Sequence, residues 1–158
     1  MDDRIIVNTA DFVIGRSPQI LVTLGIGSCV AVCLYEKTSK IGALLHIMLP
    51  IYLEELAGGR GQFNPLRFAD TALGLAVVEL EKLGVVKERL SAKLVGGAQM
   101  FVAFSKTHDV GAKNVEQTER ILNVLGIAIA AEEVKGTIGR SVEFDLGTGL
   151  VKIFTKAQ

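Results

Sequence analysis

The chain has 158 residues, 17 basic and 17 acidic, so it carries no net charge, and 49% of it is hydrophobic. That length buries an ordinary core in a single domain, 1–158, without disulfides or a structural metal, while balanced, unclustered charge speaks against a nucleic-acid surface. No apolar run is long enough to cross a bilayer and no charged segment precedes an apolar one at the amino end, which makes a cytoplasmic protein without membrane insertion the expectation.

In chain order, Ile5-Ile6-Val7 and Phe12-Val13-Ile14 predict two short strands separated by Asn8-Thr9-Ala10-Asp11, with a turn at Gly15-Arg16-Ser17-Pro18. Ile20 to Leu24 is a third strand, dense in β-branched residues. Gly25 and Gly27 interrupt it and allow a bulge or a left-handed backbone, so that the amides of Ser28 and Cys29 can point into a cleft. Val30 to Leu34 and Ile41 to Pro50 form the next two strands, a hairpin closed by Glu36-Lys37-Thr38-Ser39. The glycine-rich segment 51–64 has no sustained period and is a candidate lid or substrate guide as well as a plain connection. Asn64 and Pro65 read as the cap and first turn of a helix running to about Leu83 and stopped by Gly84, its stripe made by Leu66, Ala69, Leu73, Ala76, Val77 and Leu80. Small residues at Ala72, Gly74 and Ala76 predict close packing on a sheet.

Ala92 to Val95 is a strand ending in Gly96-Gly97-Ala98, and a second helix spans about Ala112 to Leu125, ended by Gly126, with Val115, Ile121, Leu122 and Leu125 on its buried side. Ile127 to Ala131, Ser141 to Phe144 and Leu150 to Phe154 complete the strands, the last two joined as a hairpin through Gly147-Thr148-Gly149. Many strands with only two long helices favour an α+β layered domain over an alternating parallel one. There is no internal repeat and no low-complexity segment.

The chemistry concentrates at Cys29 and His46. With the hairpin closed as above, Tyr35 faces Lys40 and Cys29 falls opposite His46, projecting from the same face about 5 Å away. A turn of three or five residues would change that register. An isolated strand cysteine is more often a small buried hydrophobe, and Cys33 keeps that reading. A thiol behind a glycine-rich approach and facing a histidine is instead a nucleophile with its base, the imidazole lowering the thiol pKa by ion pairing. Thr23 is the nearest polar residue able to orient the imidazole, with Asp70 and Asp109 less well placed, and His108 is the second candidate base. Cys29 and Cys33 lie too far apart along one strand for a bridge, at about 13 Å, so both thiols are expected free. Gly25-x-Gly27 leads into a strand and lacks the third glycine of a dinucleotide fingerprint. Two histidines and two cysteines without paired spacing make no zinc site, and no cofactor is expected.

Thr23 through Cys29 with the following Val-Ala-Val-Cys-Leu, His46-Ile-Met-Leu-Pro50, Gly96-Gly97-Ala98 with Met100-Phe101, Asn114-Val115 and Gly139-Arg140 together resemble CheD, the chemoreceptor glutamine deamidases of bacterial and archaeal chemotaxis. The collinear blocks span nearly the whole chain. The resemblance implies a layered α/β/β sandwich of mainly antiparallel strands with two long helices, distantly akin to deamidating bacterial toxins. It implies a catalytic triad of Cys29, His46 and Thr23. Beside that triad, Gly27, Ser28, Gly97, Phe63 and Phe101 are the candidate oxyanion or substrate-binding residues. It also implies two partners, the cytoplasmic helices of chemoreceptors as substrate and a CheC-type phosphatase that the protein binds and stimulates. A non-catalytic regulatory module for that phosphatase or for receptors is the alternative.

Overall fold

A computed structural model describes residues 3–48, 67–100 and 109–155. The 51–64 segment, Phe63, Asn64, Pro65, Leu66, Phe101 and His108 lie outside the described residues. The order of elements is β1 (Arg4–Ile6), β2 (Asp11–Arg16), β3 (Ile20–Ile26), β4 (Val30–Glu36), β5 (Ile41–Ile47), α1 (Ala69–Lys82), a 3-10 turn (Lys87–Arg89), β6 (Ser91–Gly96), α2 (Val110–Leu125), β7 (Ala128–Val134), β8 (Arg140–Asp145) and β9 (Val151–Thr155).

β4 and β5 explain the layering. Their residues are buried almost without interruption, as apolar runs are when both faces of a sheet are covered. Val30, Val32, Leu34, Leu45 and Ile47 face the two helices in one core. Ala31, Cys33 and Leu44 face the opposite way and meet Leu21, Ile26, Val142 and Phe144 in a second. The five-stranded sheet, ordered β2-β5-β4-β6-β7, is therefore the middle layer, between helices on one side and the four-stranded sheet β1-β3-β8-β9 on the other. β1 with β3 and β6 with β7 pair in parallel, and the other ladders are antiparallel. This is the α/β/β sandwich that the resemblance implies.

The β4–β5 hairpin closes one residue later on each strand than expected. Glu36 pairs with Ile41, and His46 lies opposite Ala31 instead of Cys29. The reason is local. The Glu36 carboxylate accepts hydrogen bonds from the Thr38 and Ser39 amides, its carbonyl takes the Lys40 amide at 2.9 Å, and Lys40 turns left-handed at φ 56°. The loop is thus 37–40, with Glu36 holding it from the strand end. Because the slip moves the pairing by two residues, Cys29 keeps its face and becomes the diagonal neighbour of His46, a spacing of about 7–8 Å between such positions.

α1 begins at Ala69, not at Asn64 and Pro65. Arg67 gives its carbonyl to the Met48 amide at 3.0 Å and Phe68 is extended, at φ −111° and ψ 139°. The chain ahead of the helix is held as a strand-like tie to the end of β5. The helix stops as expected, with Gly84 left-handed at φ 89° and its amide on the Glu81 carbonyl. Ala72 and Ala76 pack tightly, but Gly74 looks into open space and is not part of the packed stripe. α2 ends at a left-handed Gly126. Its buried face carries Val115 and Leu122 as expected, with Asn114 and Thr118 fully buried between them.

Candidate active site

β3 ends in a bulge between Thr23 and Ile26, where Gly25 sits at φ 65°. The bulge delivers the chain out of one sheet and into the other, so that residues 27–29 form the crossing between the layers. This crossing is clamped by the chain that follows β6. The Gly97 amide donates to the Cys29 carbonyl at 2.7 Å and the Ala98 amide to the Gly27 carbonyl at 2.9 Å. Gly96 must be glycine for that approach: its φ is 116°, and a β-carbon there would lie 2.4 Å from the Cys29 carbonyl oxygen. The Gly97 amide is spent on this contact, so Gly97 holds the 27–29 crossing and has no amide free for an oxyanion.

Thr23 and His46 meet across the sandwich from opposite sheets. Both are buried, at 0% and 1% exposure, and Thr23 Oγ1 lies 2.7 Å from His46 Nδ1. The threonine hydroxyl donates its one proton to the Val7 carbonyl at 2.8 Å. It must therefore accept from Nδ1–H, which fixes the imidazole tautomer and leaves Nε2 with a free lone pair. Nε2 is buried and has no hydrogen-bond partner among the described residues. A lone pair held in place and unsatisfied is a proton acceptor awaiting a donor. Cys29, half-buried on the same face one diagonal step away, is the nearby thiol, and the two are not hydrogen-bonded to each other.

Burial pushes the Cys29 thiol above its ordinary value of 9.0, partly offset by its own backbone amide. Burial also lowers His46 below 6.5. Burial thus works against the expected thiolate–imidazolium pair and favours the neutral thiol and imidazole, because desolvation penalises both charged forms. Cys33 is fully buried and pushed up to about 12, mainly by desolvation, with Lys93 opposing. Both cysteines are free. Of the other candidates for the imidazole's orienting group, Asp109 caps α2 by accepting from Ala112 N at 2.9 Å. Asp70 accepts from the Thr71 amide.

These shifts give a pH signature. The unfolded chain protonates His46 near 6.5 and the folded chain only below that, so the unfolded state takes up the extra proton first as pH falls. The stability from the neutral imidazole is complete above 6.5 and is lost as pH drops through the native value. Urea midpoints measured from pH 8 to pH 5 are expected to fall, and to fall less in a His46→Asn variant.

One buried polar residue was not singled out for chemistry from the sequence. Asn114, on α2, donates from Nδ2 to the Ser28 carbonyl at 2.8 Å and to the Met48 carbonyl at 3.0 Å. The available signal was a polar side chain at three-and-four spacing among the apolar residues of the helix.

Together these features define a two-sheet, two-helix α+β domain with thiol, imidazole and hydroxyl gathered where the chain crosses between sheets. A family model described as CheD chemotactic sensory transduction matches residues 48–155. Thr23, Cys29 and His46 precede that stretch, but relatives cover them. A protein of Desulfitobacterium hafniense named probable chemoreceptor glutamine deamidase CheD is 41% identical over 98% of this chain and 95% of its own length. The chemoreceptor glutamine deamidase CheD of Thermotoga maritima is 42% identical over 91% and 87%, and that of Halalkalibacterium halodurans 40% identical over 100% and 97%. The chain belongs to the CheD family. Among solved structures, the hypothetical protein YfiH of Bacillus licheniformis is similar at TM-score 0.49 and 11% identity, over 78% of this chain and 50% of that one. No helix among the described residues is long and apolar enough to cross a membrane.

Proposed function

We propose that this chain is a cysteine-dependent deamidase that converts glutamine side chains of chemoreceptors to glutamate. The observation that carries the reading is the relay from the Val7 carbonyl through Thr23 to His46, which leaves Nε2 as a base beside Cys29. In the first half, Nε2 takes the Cys29 proton as sulfur attacks the carboxamide carbon. The amides of Ser28 and Cys29 receive the charge on oxygen. The carbon–nitrogen bond then breaks, the imidazolium gives its proton to nitrogen, and ammonia leaves a thioester. In the second half, a water loses a proton to Nε2 and attacks the thioester. The carbon–sulfur bond breaks, the thiol regains its proton, and a carboxylic acid remains that ionises at neutral pH. Starting from a neutral pair suits this sequence, since the base is unprotonated when the substrate arrives.

Beside the nucleophile loop is an open cleft of about 720 Å³ whose lining includes Leu24, Met100, Ile138 and Phe154. All four are at least 45% exposed, and Met100 lies over Gly27. An apolar groove beside the 27–29 crossing is suited to the face of a receptor helix. With the cytoplasmic helices of receptors as substrate, the protein acts in the cytoplasm on this reading.

Incubation with cytoplasmic receptor fragments is expected to release ammonia and to leave the amide-to-acid mass increase at particular glutamines. Fragments unchanged in mass would reject the reading. Adding a CheC-type phosphatase and following dephosphorylation of the response regulator tests the proposed partner, and stimulation without any deamidation would mark a purely regulatory module.

A further inference from the structure

We propose that Asn114 is a positioning residue for this reaction: from α2 it sets the orientation of the Ser28–Cys29 peptide and ties it to the end of the histidine strand. The inference rests on the deamidase reading above. Ser28 immediately precedes the nucleophile and Met48 follows His46 by two residues, so the two carbonyls held by Nδ2 flank the two reacting groups. A peptide unit is planar and trans, so its carbonyl and its N–H point in opposite directions. Anchoring the Ser28 carbonyl on α2 therefore turns the Cys29 N–H away from the helix. That is the sulfur's side, since the Cys29 amide favours the charged form of its own thiol. The same N–H is one of the two that the mechanism uses for the oxyanion.

Asn114 is fully buried, so its amide is not averaged by solvent. Its orientation is unambiguous as well, because flipping it would set Oδ1 against two carbonyl oxygens. Oδ1 itself has no partner among the described residues. A buried amide that leaves its own oxygen unsatisfied while donating twice to main chain is placed for those two donations. The helix can come this close because Gly111 and Gly97 lack side chains: a β-carbon at Gly111 would lie 2.4 Å from the Ala98 carbonyl oxygen, and one at Gly97 2.2 Å from Val115 Cγ2.

Two variants separate the donors from the volume. Asn114→Ala removes both, whereas Asn114→Leu removes the donors and fills the space. Each folded variant, checked by circular dichroism, is assayed for deamidation of receptor fragments and for alkylation of Cys29 by iodoacetamide between pH 7 and pH 10. Misalignment of this kind costs about 100-fold in rate. Both variants are expected to lose about that factor in kcat, with KM changed less than about threefold. Their alkylation profiles should move to higher pH as the amide turns from the sulfur. If Asn114→Ala does not fold, Asn114→Leu carries the test alone. An alkylation profile that superimposes on the wild type in a folded variant overturns the proposal, whatever happens to kcat, and so does loss in Asn114→Ala alone. Because alkylation needs no receptor, a wild-type protein inactive on glutamine would sink the deamidase reading while the profiles still report on the peptide.

Discussion

Cys29→Ala is expected to abolish ammonia release from receptor fragments while the melting temperature stays within a few degrees of the wild type. The side chain is half-buried and makes no hydrogen bond with His46, so its loss removes one sulfur atom from a partly open position and leaves both sheets intact. No other cysteine of the chain is placed to form the proposed thioester. Cys33 is sealed between the sheets with its thiol pushed up to about 12, which leaves it essentially without thiolate at neutral pH. Cys33→Ala is the matched control and should retain turnover. Ammonia released at the wild-type rate by Cys29→Ala would remove the nucleophile from the mechanism.

Thr23→Val is expected to lower kcat by about 100- to 1,000-fold, with a smaller change in KM. Valine keeps the shape of the side chain at a position with no exposure but has no hydroxyl. The Val7 carbonyl and His46 Nδ1 then both lose their partner. The imidazole becomes free to carry its proton on Nε2, the wrong atom for a base. Leaving two buried polar groups unpaired also costs about 1–3 kcal/mol of stability each, visible as a lower urea midpoint. Thr23→Ser restores the hydroxyl and should recover most of the rate. Equal kcat in Thr23→Val would show that the relay does not orient the base.

The faces of the central strands were legible from alternation, and this is why Cys29 and His46 stay on one face of the sheet despite an error in register. Side chains repeat every second residue, so a slip of two leaves each on its side of the sheet. What alternation does not contain is the turn. Glu36 reads as a loop residue, yet its carboxylate binds the turn amides and makes it the last residue of the strand. Helix caps were half legible. Gly84 and Gly126 mark real ends, whereas α1 itself begins at Ala69, after the expected cap at Asn64-Pro65, which lies outside the described residues. The Arg67 carbonyl is claimed by Met48, just past β5, a contact across sequence that no local rule anticipates. Chain proximity pointed to Thr23, whereas its contact with His46 comes from the stacking of two sheets. Likewise, the expected ion pair followed from pairing two residue types. Their protonation depends on burial, which only the assembled layers reveal.

The hydroxyl and the imidazole arise within the first 46 residues, but they hang from different leaves of the fold. Thr23 is carried by β3, which pairs along one side with β8, and β8 is flanked in turn by β9 at the far end of the chain. During synthesis the histidine strand can emerge and find its hairpin partner long before anything holds the threonine against it. Residues 140–155 must leave the ribosome before the leaf bearing Thr23 is closed. A nascent or truncated chain that stops short of β8 can therefore display its cysteine and still be chemically idle, and the proposed activity is acquired only once that strand has been made.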